Sequence, residues 1–346
     1  MVNAVVAGMG SAVPQQATQG EVWDRFFAQH YKDVPLAEKI WHNVDVETRH
    51  GVIVPWEEDV HTWGTGARME RFVDEALPLG AEAVSKALAS AGVQAADVDQ
   101  FTVVSCTGYA TPGLDILLAR DLGMPSTVQR LHVGHMGCYA AVPGLATVSD
   151  AAAARSKTTV MLCLELSSLH VQQATDDLSQ VVAHALFADA AAALVVRPGT
   201  SGLVVQDVEA RTDVSTAGHM RWDVTDHGFR MSLSPEVPNV LDQHVGSVVT
   251  DLLARNGLRP SDVAGWAVHP GGPKILDVVA DRLDLEESDL SASRATLAKY
   301  GNCSSATVLL VLERMLQQRS FEPGDPVILM SFGPGLTLYV ALLRQS

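Results

Sequence analysis

Short apolar runs alternate along this chain with longer amphipathic stretches, and glycine or proline separates them. Residues 5–8, 101–105, 159–164, 191–196, 203–209, 265–269, 326–331 and 336–343 read as strands. Residues 72–91, 112–122, 138–154, 237–256, 273–283 and 303–318 place apolar side chains at helical spacing and read as helices. Runs such as 191–196 lack the polar alternation of a half-solvated strand, so the sheets are expected to be covered on both faces. Apolar strands alternating with helices define an α/β protein.

The pattern repeats. Ala96-Asp97-Val98-Asp99-Gln100-Phe101 resembles Ser261-Asp262-Val263-Ala264-Gly265-Trp266, and Met136-Gly137-Cys138 matches Gly301-Asn302-Cys303, both at an offset of 165 residues. Pro112-Gly113-Leu114-Asp115 resembles Lys274-Ile275-Leu276-Asp277 at a slightly shorter offset, and the strand ending at Glu165 parallels the one ending at Phe332. Several matches in one order point to an internal duplication. The chain then divides into halves 1–198 and 199–346, with the boundary at Arg197-Pro198-Gly199-Thr200-Ser201-Gly202. Two such halves are expected to pack their sheets on a shared helical layer, with a site at the seam.

Composition narrows the function. Of 346 residues, 47% are hydrophobic, enough for a large core. The net charge of −16 comes without a basic stripe, which argues against nucleic acid as a partner. No run approaches the length of a membrane span. The N-terminus has no basic segment before its apolar run and reads as a first strand rather than a leader. Cys106, Cys138, Cys163 and Cys303 form no C-x-x-C pair, so a structural metal and a disulfide framework are not expected. A reducing cytoplasm fits that usage.

Three motifs carry candidate chemistry. Cys138 follows a glycine turn at the start of an alanine-rich helix, where free N–H groups and the helix dipole favour thiolate. His269 ends a strand and opens the rigid turn His269-Pro270-Gly271-Gly272-Pro273. Asn302 sits in Tyr300-Gly301-Asn302-Cys303-Ser304 at another helix start. Alone, each has a structural alternative: inert core cysteine, core or capping histidine, N-cap asparagine. Together they offer a nucleophile, an imidazole and an amide donor spread over both halves. That set suits acyl-thioester chemistry, with the last two stabilising an enolate oxygen.

These motifs, with Phe332-Gly333-Pro334-Gly335-Leu336-Thr337 and Ala185-Leu186-Phe187-Ala188-Asp189, resemble the type III polyketide synthases, the chalcone-synthase-like enzymes. The resemblance implies the thiolase fold, a duplicated five-layer αβαβα architecture, and a homodimer. It implies that Cys138 accepts the acyl group, that His269 is the base and ion partner, and that Asn302 with His269 orients a malonyl thioester and stabilises its enolate. Phe187 matches the first of two gatekeeping aromatics. The second falls on Met231, where Phe is usual, or on the nearby Phe229. Cys106, Thr107, Ser167, Leu169, His170 and Ser304 match cavity-lining positions. His170 stands where a smaller residue is common, which predicts a narrowed, more polar cavity and a short product.

The same resemblance implies coenzyme A thioesters, malonyl-CoA and a starter, as substrates, with no tightly bound cofactor and no metal. Lys39, Gly271 and Lys274 match the carrier-binding end. That end has fewer basic residues than the family pattern, which leaves an acyl carrier protein as an alternative donor. Ketoacyl-carrier-protein synthase III uses the same three residue types but lacks the His-Pro-Gly-Gly-Pro motif. A thiolase would need a second cysteine at the site, and Cys303, one residue along a helix start, points elsewhere. A non-catalytic partner subunit conflicts with the intact Cys138, His269 and Asn302.

Overall fold

The computed structural model describes residues 3–346; Met1 and Val2, at the start of the expected N-terminal half, lie outside them. All eight runs read as strands form strands, and five more strands accompany them. In chain order the elements begin with β1 (Ala4–Ala12), β2 (Gln15–Thr18), and the short helices α1 (Gln19–Val22), α2 (Ala28–His30) and α3 (Ala37–His42). Then come β3 (Thr48–Gly51), the long α4 (Thr65–Ala91), β4 (Gln100–Ser105), α5 (Leu114–Asp121), β5 (Gln129–Gly134), α6 (Ala141–Arg155), β6 (Thr159–Leu166), α7 (Leu178–Leu186) and β7 (Asp189–Pro198). The remainder runs through β8 (Leu203–Thr212), β9 (Met220–Thr225), β10 (Gly228–Leu233), α8 (Val237–Arg255), β11 (Gly265–Val268), α9 (Pro273–Leu283), α10 (Ser291–Tyr300), α11 (Thr307–Gln318), β12 (Pro326–Gly333) and β13 (Thr337–Gln345).

The main sheet has the order β11-β12-β13-β8-β1-β7-β6-β4-β5. Without β5 it reads the same from either end: β4 answers to β11, β6 to β12, β7 to β13 and β1 to β8. The pairings agree, since β4–β6 and β11–β12 are parallel while β6–β7 and β12–β13 are antiparallel. Among the described residues the half-sheets meet only at β1–β8, through Val5↔Val204 and Val6↔Leu203. This order is the structural form of the sequence repeat.

Strand parity builds the layers. On β6, Leu162 and Leu164 face one core with Phe72 and Leu118 of α4 and α5, while Met161 and Cys163 face a second. That second core is central. It holds Leu145 and Val148 of α6 and Leu309 and Val311 of α11 between the two half-sheets. A third core packs Leu241 and Val249 of α8 and Val279 of α9 on Ile328 and Met330 of β12. The result is helices, sheet, helices, sheet, helices, the expected five layers. Each fully buried leucine or valine contributes about 1.5–3 kcal/mol. Where α4 crosses β1, only glycine fits: a Cβ on Gly10 would lie 2.5 Å from the Ala87 nitrogen.

Several boundaries differ from the sequence reading. The helix expected from residue 138 begins at Ala141, because Gly137–Tyr139 form a 3-10 turn. The helix expected from 303 begins at Thr307, after the 3-10 turn Ser304–Ala306. The β2–β3 and β9–β10 pairs, β5, and the helices α1, α2, α3, α7 and α10 were not predicted. Most of β5 is exposed, so it carries no apolar run.

Candidate active site

The glycine turn before Cys138 is built on left-handed backbone, with φ 62° at His135 and 75° at Gly137. A Cβ on Gly137 would approach Pro334 to 2.8 Å, so glycine serves both the turn and the close approach. Cys138 itself is buried, its Sγ 3.6 Å from the Ser304 hydroxyl. Burial pushes its thiol up to about 12; the Ser304 hydroxyl favours the thiolate and the nearby Glu165 opposes it. That burial opposes the thiolate that the helix start favours.

His269 follows β11, its N–H donating to the Met330 carbonyl at 2.8 Å. Its ring lies edge-on to Phe332, with centroids 5.5 Å apart. Among the described residues neither ring nitrogen has a hydrogen-bond partner. Burial holds its pKa down to about 3, which favours the neutral ring.

Asn302 is fixed from both sides. Its N–H donates to the Leu186 carbonyl at 2.8 Å and its carbonyl accepts from the Ala188 N–H at 3.0 Å, which makes a one-residue bridge with Phe187. Its Oδ1 accepts from the Ser304 N–H at 2.9 Å and from Thr307 Oγ1 at 3.4 Å. A backbone N–H only donates, so the oxygen must face it. The amide nitrogen is left as a free donor on a side chain that lines the large cavity.

Two cavities meet at Cys138. The larger, about 730 Å³, is lined by Cys138, His269, Asn302 and Phe187, with Lys39, Gly271 and Lys274 also in its wall. The smaller chamber, about 140 Å³, is lined by Cys106, Thr107, Ser167, Met231, Ser304 and, again, Cys138 and Phe187. Phe187 and Cys138 thus stand where tunnel and chamber join. Met231 lines the chamber and Phe229 does not; Phe229 stacks on His170 at 4.5 Å.

Two expected lining residues lie elsewhere. Leu169 lines neither space: the 3-10 turn Ser167–His170 turns it into the first core, where its carbonyl accepts from Arg68. His170 borders only a third pocket, about 80 Å³, behind Phe187 and Met231. It adds no free polar group, because Nδ1 accepts the Phe229 N–H at 3.0 Å and Nε2 pairs with the Thr107 carbonyl at 2.7 Å. Burial lowers its pKa to about 3. Cys303 points into the central core, as expected.

Sequence reasoning missed Met220 and Trp222 of β9 in the chamber wall. It also gave no role to Glu165, a carboxyl in the otherwise apolar β6. Parity sends Glu165 to the central layer with Cys163, and its visible signal was that lone charge in a buried strand. There it accepts from the Cys106 N–H at 3.0 Å and from the hydroxyls of Thr107 at 2.8 Å and Ser305 at 2.6 Å. It ties the chamber floor to the start of α11. Burial raises its pKa against those bonds. Among the described residues, no His, Cys, Asp or Glu cluster is placed to hold a metal, and no helix is long and apolar enough to cross a membrane.

Comparison with known proteins agrees with this geometry. Residues 2–200 match the family "Chalcone and stilbene synthases, N-terminal domain", and residues 204–346 match its C-terminal domain. The 1,3,6,8-tetrahydroxynaphthalene synthase of Streptomyces peucetius subsp. caesius is 36% identical over 90% of this chain and 84% of its own. The alpha-pyrone synthesis polyketide synthase-like Pks18 of Mycobacterium tuberculosis is 30% identical over 97% of this chain and 89% of its own. The crystal structure of 1,3,6,8-tetrahydroxynaphthalene synthase from Streptomyces coelicolor superposes with a TM-score of 0.93 at 28% identity, covering 99% of each chain. PKS-I from the brown alga Ectocarpus siliculosus gives the same TM-score and identity, covering 100% of this chain and 99% of the other. The chain belongs to the chalcone and stilbene synthase family and is a type III polyketide synthase.

Proposed function

We propose that this enzyme loads a starter acyl group on Cys138, extends it with malonyl units and closes the chain to a small aromatic or pyrone product. One observation carries the reading: Cys138 borders both a large cavity, the tunnel, that holds His269 and Asn302 and a smaller chamber beside it. The acyl substrates are coenzyme A thioesters. Lys39 and Lys274, in the tunnel wall, offer charge-assisted contacts to the phosphates.

In the first step the neutral His269 ring takes the Cys138 proton as the sulfur attacks the starter carbonyl. The coenzyme A thiolate leaves and recovers a proton. A low-dielectric site opposes the isolated thiolate and the isolated imidazolium alike, so the two charges form as a pair. Malonyl-CoA then enters the tunnel. Its carbon–carbon bond to the carboxylate breaks, carbon dioxide leaves, and the electron pair passes to the thioester oxygen. The Asn302 amide and a His269 N–H donate to that oxygen. The enolate carbon attacks the acyl-Cys138 carbonyl, and the cysteine sulfur leaves. Return of the lengthened chain to Cys138 repeats the cycle. The chamber has about a fifth of the tunnel volume, which supports a short product.

The reading extends to a homodimer, supported by the bare edge strand β5 with exposed Leu131 and by exposed Tyr109 and Ile116 close to it in sequence. It includes a cytoplasmic setting, supported by four buried cysteines without disulfides. The division at 198/199 falls between β7 and β8. No basic groove for nucleic acid is part of this reading. The test is intact-protein mass spectrometry after incubation with hexanoyl-CoA: the acyl mass appears on wild type and is absent from Cys138→Ala. Absence of an adduct on Cys138 across a panel of acyl-CoA starters sinks the proposal. Faster loading from matched carrier-protein thioesters would replace coenzyme A as the donor.

A further inference from the structure

The β9–β10 hairpin supplies Met220, Trp222 and Met231 to the chamber, yet it forms a two-stranded sheet of its own. Among the described residues, one backbone–backbone hydrogen bond reaches it from outside, Thr65 N–H to the Asp226 carbonyl at the hairpin tip. The other attachments use side chains. Thr65 Oγ1 bonds the tip again, accepting the Gly228 N–H at 2.8 Å. Trp222 Nε1 donates to the Cys106 carbonyl at 2.8 Å. Arg230 pairs with Asp177 at the surface, at 2.7 Å.

Two buried amides do most of the rest. Gln172 donates to the hairpin carbonyls of His227 and Phe229 at 3.1 and 3.2 Å and to the His170 carbonyl at 2.9 Å. One NH2 group serves three acceptors, so a proton is shared. Gln180, on α7, donates to the Met231 carbonyl. His170 stands beside them as a spacer. Because Nδ1 accepts from Phe229, Nε2 carries the proton and donates to Thr107 on the chamber floor.

We propose that Gln172 and Gln180 are positioning residues that hold the β9–β10 hairpin at a fixed distance from the chamber floor, and so set product length. The inference rests on the condensation reading above. A wall inside a sheet is fixed by backbone bonds that no side-chain substitution removes. A wall held by side chains moves when one is changed. Loss of the Gln172 amide leaves the buried carbonyls of His170 and Phe229 and the part-buried carbonyl of His227 without that donor, and water entering between hairpin and body satisfies them by parting the two. The chamber then widens at Met231 and Trp222. Gln172 lines none of the three cavities, so its loss leaves the acyl-loading machinery in place.

The test uses Gln172→Leu and Gln172→Met, neither of which can donate, with hexanoyl-CoA and malonyl-CoA. Product masses give the ratio of longer to shorter chains, and hydrogen exchange reports residues 220–233. Both variants raise the ratio roughly three- to tenfold, the range one net hydrogen bond controls. Hairpin amides exchange faster, and Cys138 acylation keeps its wild-type rate. Val248→Ala, a remote core variant on α8, lowers stability without moving the ratio. If the Gln172 variants do not fold, Arg230→Ala loosens the same hairpin from the surface and moves the ratio the same way by less. An unchanged ratio overturns the proposal whatever the exchange shows. Polyketide formation by the wild type tests the condensation reading separately.

Discussion

Changing Asn302 to Asp reverses one donor and leaves the rest of its contacts intact. The Ser304 N–H and Thr307 hydroxyl still find an oxygen, so the fold around residue 302 is kept. Where the free NH2 met the enolate, a carboxylate oxygen now does. Loss of one oxyanion donor costs about 3 kcal/mol, roughly a hundredfold or more in rate. A unit charge about 4 Å from the developing oxyanion adds about 4 kcal/mol of repulsion at an effective dielectric near 20. Asn302→Ala bears only the first cost at the enolate. Decarboxylation of malonyl-CoA, followed as carbon dioxide release, should therefore fall in the order wild type, N302A, N302D at neutral pH. Burial raises the pKa of the introduced carboxyl. Once protonated it is a donor again, so N302D recovers as the pH falls and N302A does not. Cys138 acylation stays near wild type in both. Equal pH profiles for the two variants, or N302D near wild type at neutral pH, would refute the assigned donor role.

Two further outcomes follow from buried groups. Burial lifts Asp189 to about 6, against hydrogen bonds from the Ser168 hydroxyl and from the Ser168 and Val52 N–H groups. A raised carboxyl binds its proton more tightly when folded, so its contribution to stability falls as pH rises from its ordinary 3.8 to 6. The loss is about 3 kcal/mol, read as the wild-type minus Asp189→Asn difference in urea unfolding at each pH; a pH-independent difference refutes it. Gly10→Ala drives a methyl into the α4 backbone and should cost about 1–3 kcal/mol in the same assay, with an unchanged midpoint as the contrary result.

What the sequence disclosed depended on where each signal resided. Buried strands announce themselves as apolar runs, so the nine-stranded sheet was legible except for β5, whose edge position leaves it polar. Cys138, His269 and Asn302 were legible because each sits at a turn with distinctive glycine or proline chemistry. Leu169 was misplaced because a four-residue 3-10 turn has no periodicity to reveal which side chains face inward. The ionisation of Cys138 was legible only in part. A helix start is local and visible, whereas the burial that opposes it arises only when the chain folds. His170 looked like an intrusion into the cavity until both its nitrogens were found on backbone groups.

The bridge between Phe187 and Asn302 has a further consequence. Asn302 donates to one neighbour of Phe187 and accepts from the other, so the neck and the proposed enolate donor ride on a single peptide ladder. They cannot be retuned separately: a backbone shift that opens the neck also drags the amide off its target. The opposite wall has no such tether to the chemistry. Change in product range is therefore channelled to the Met231 side, where the enzyme can vary what it makes without disturbing how it makes it.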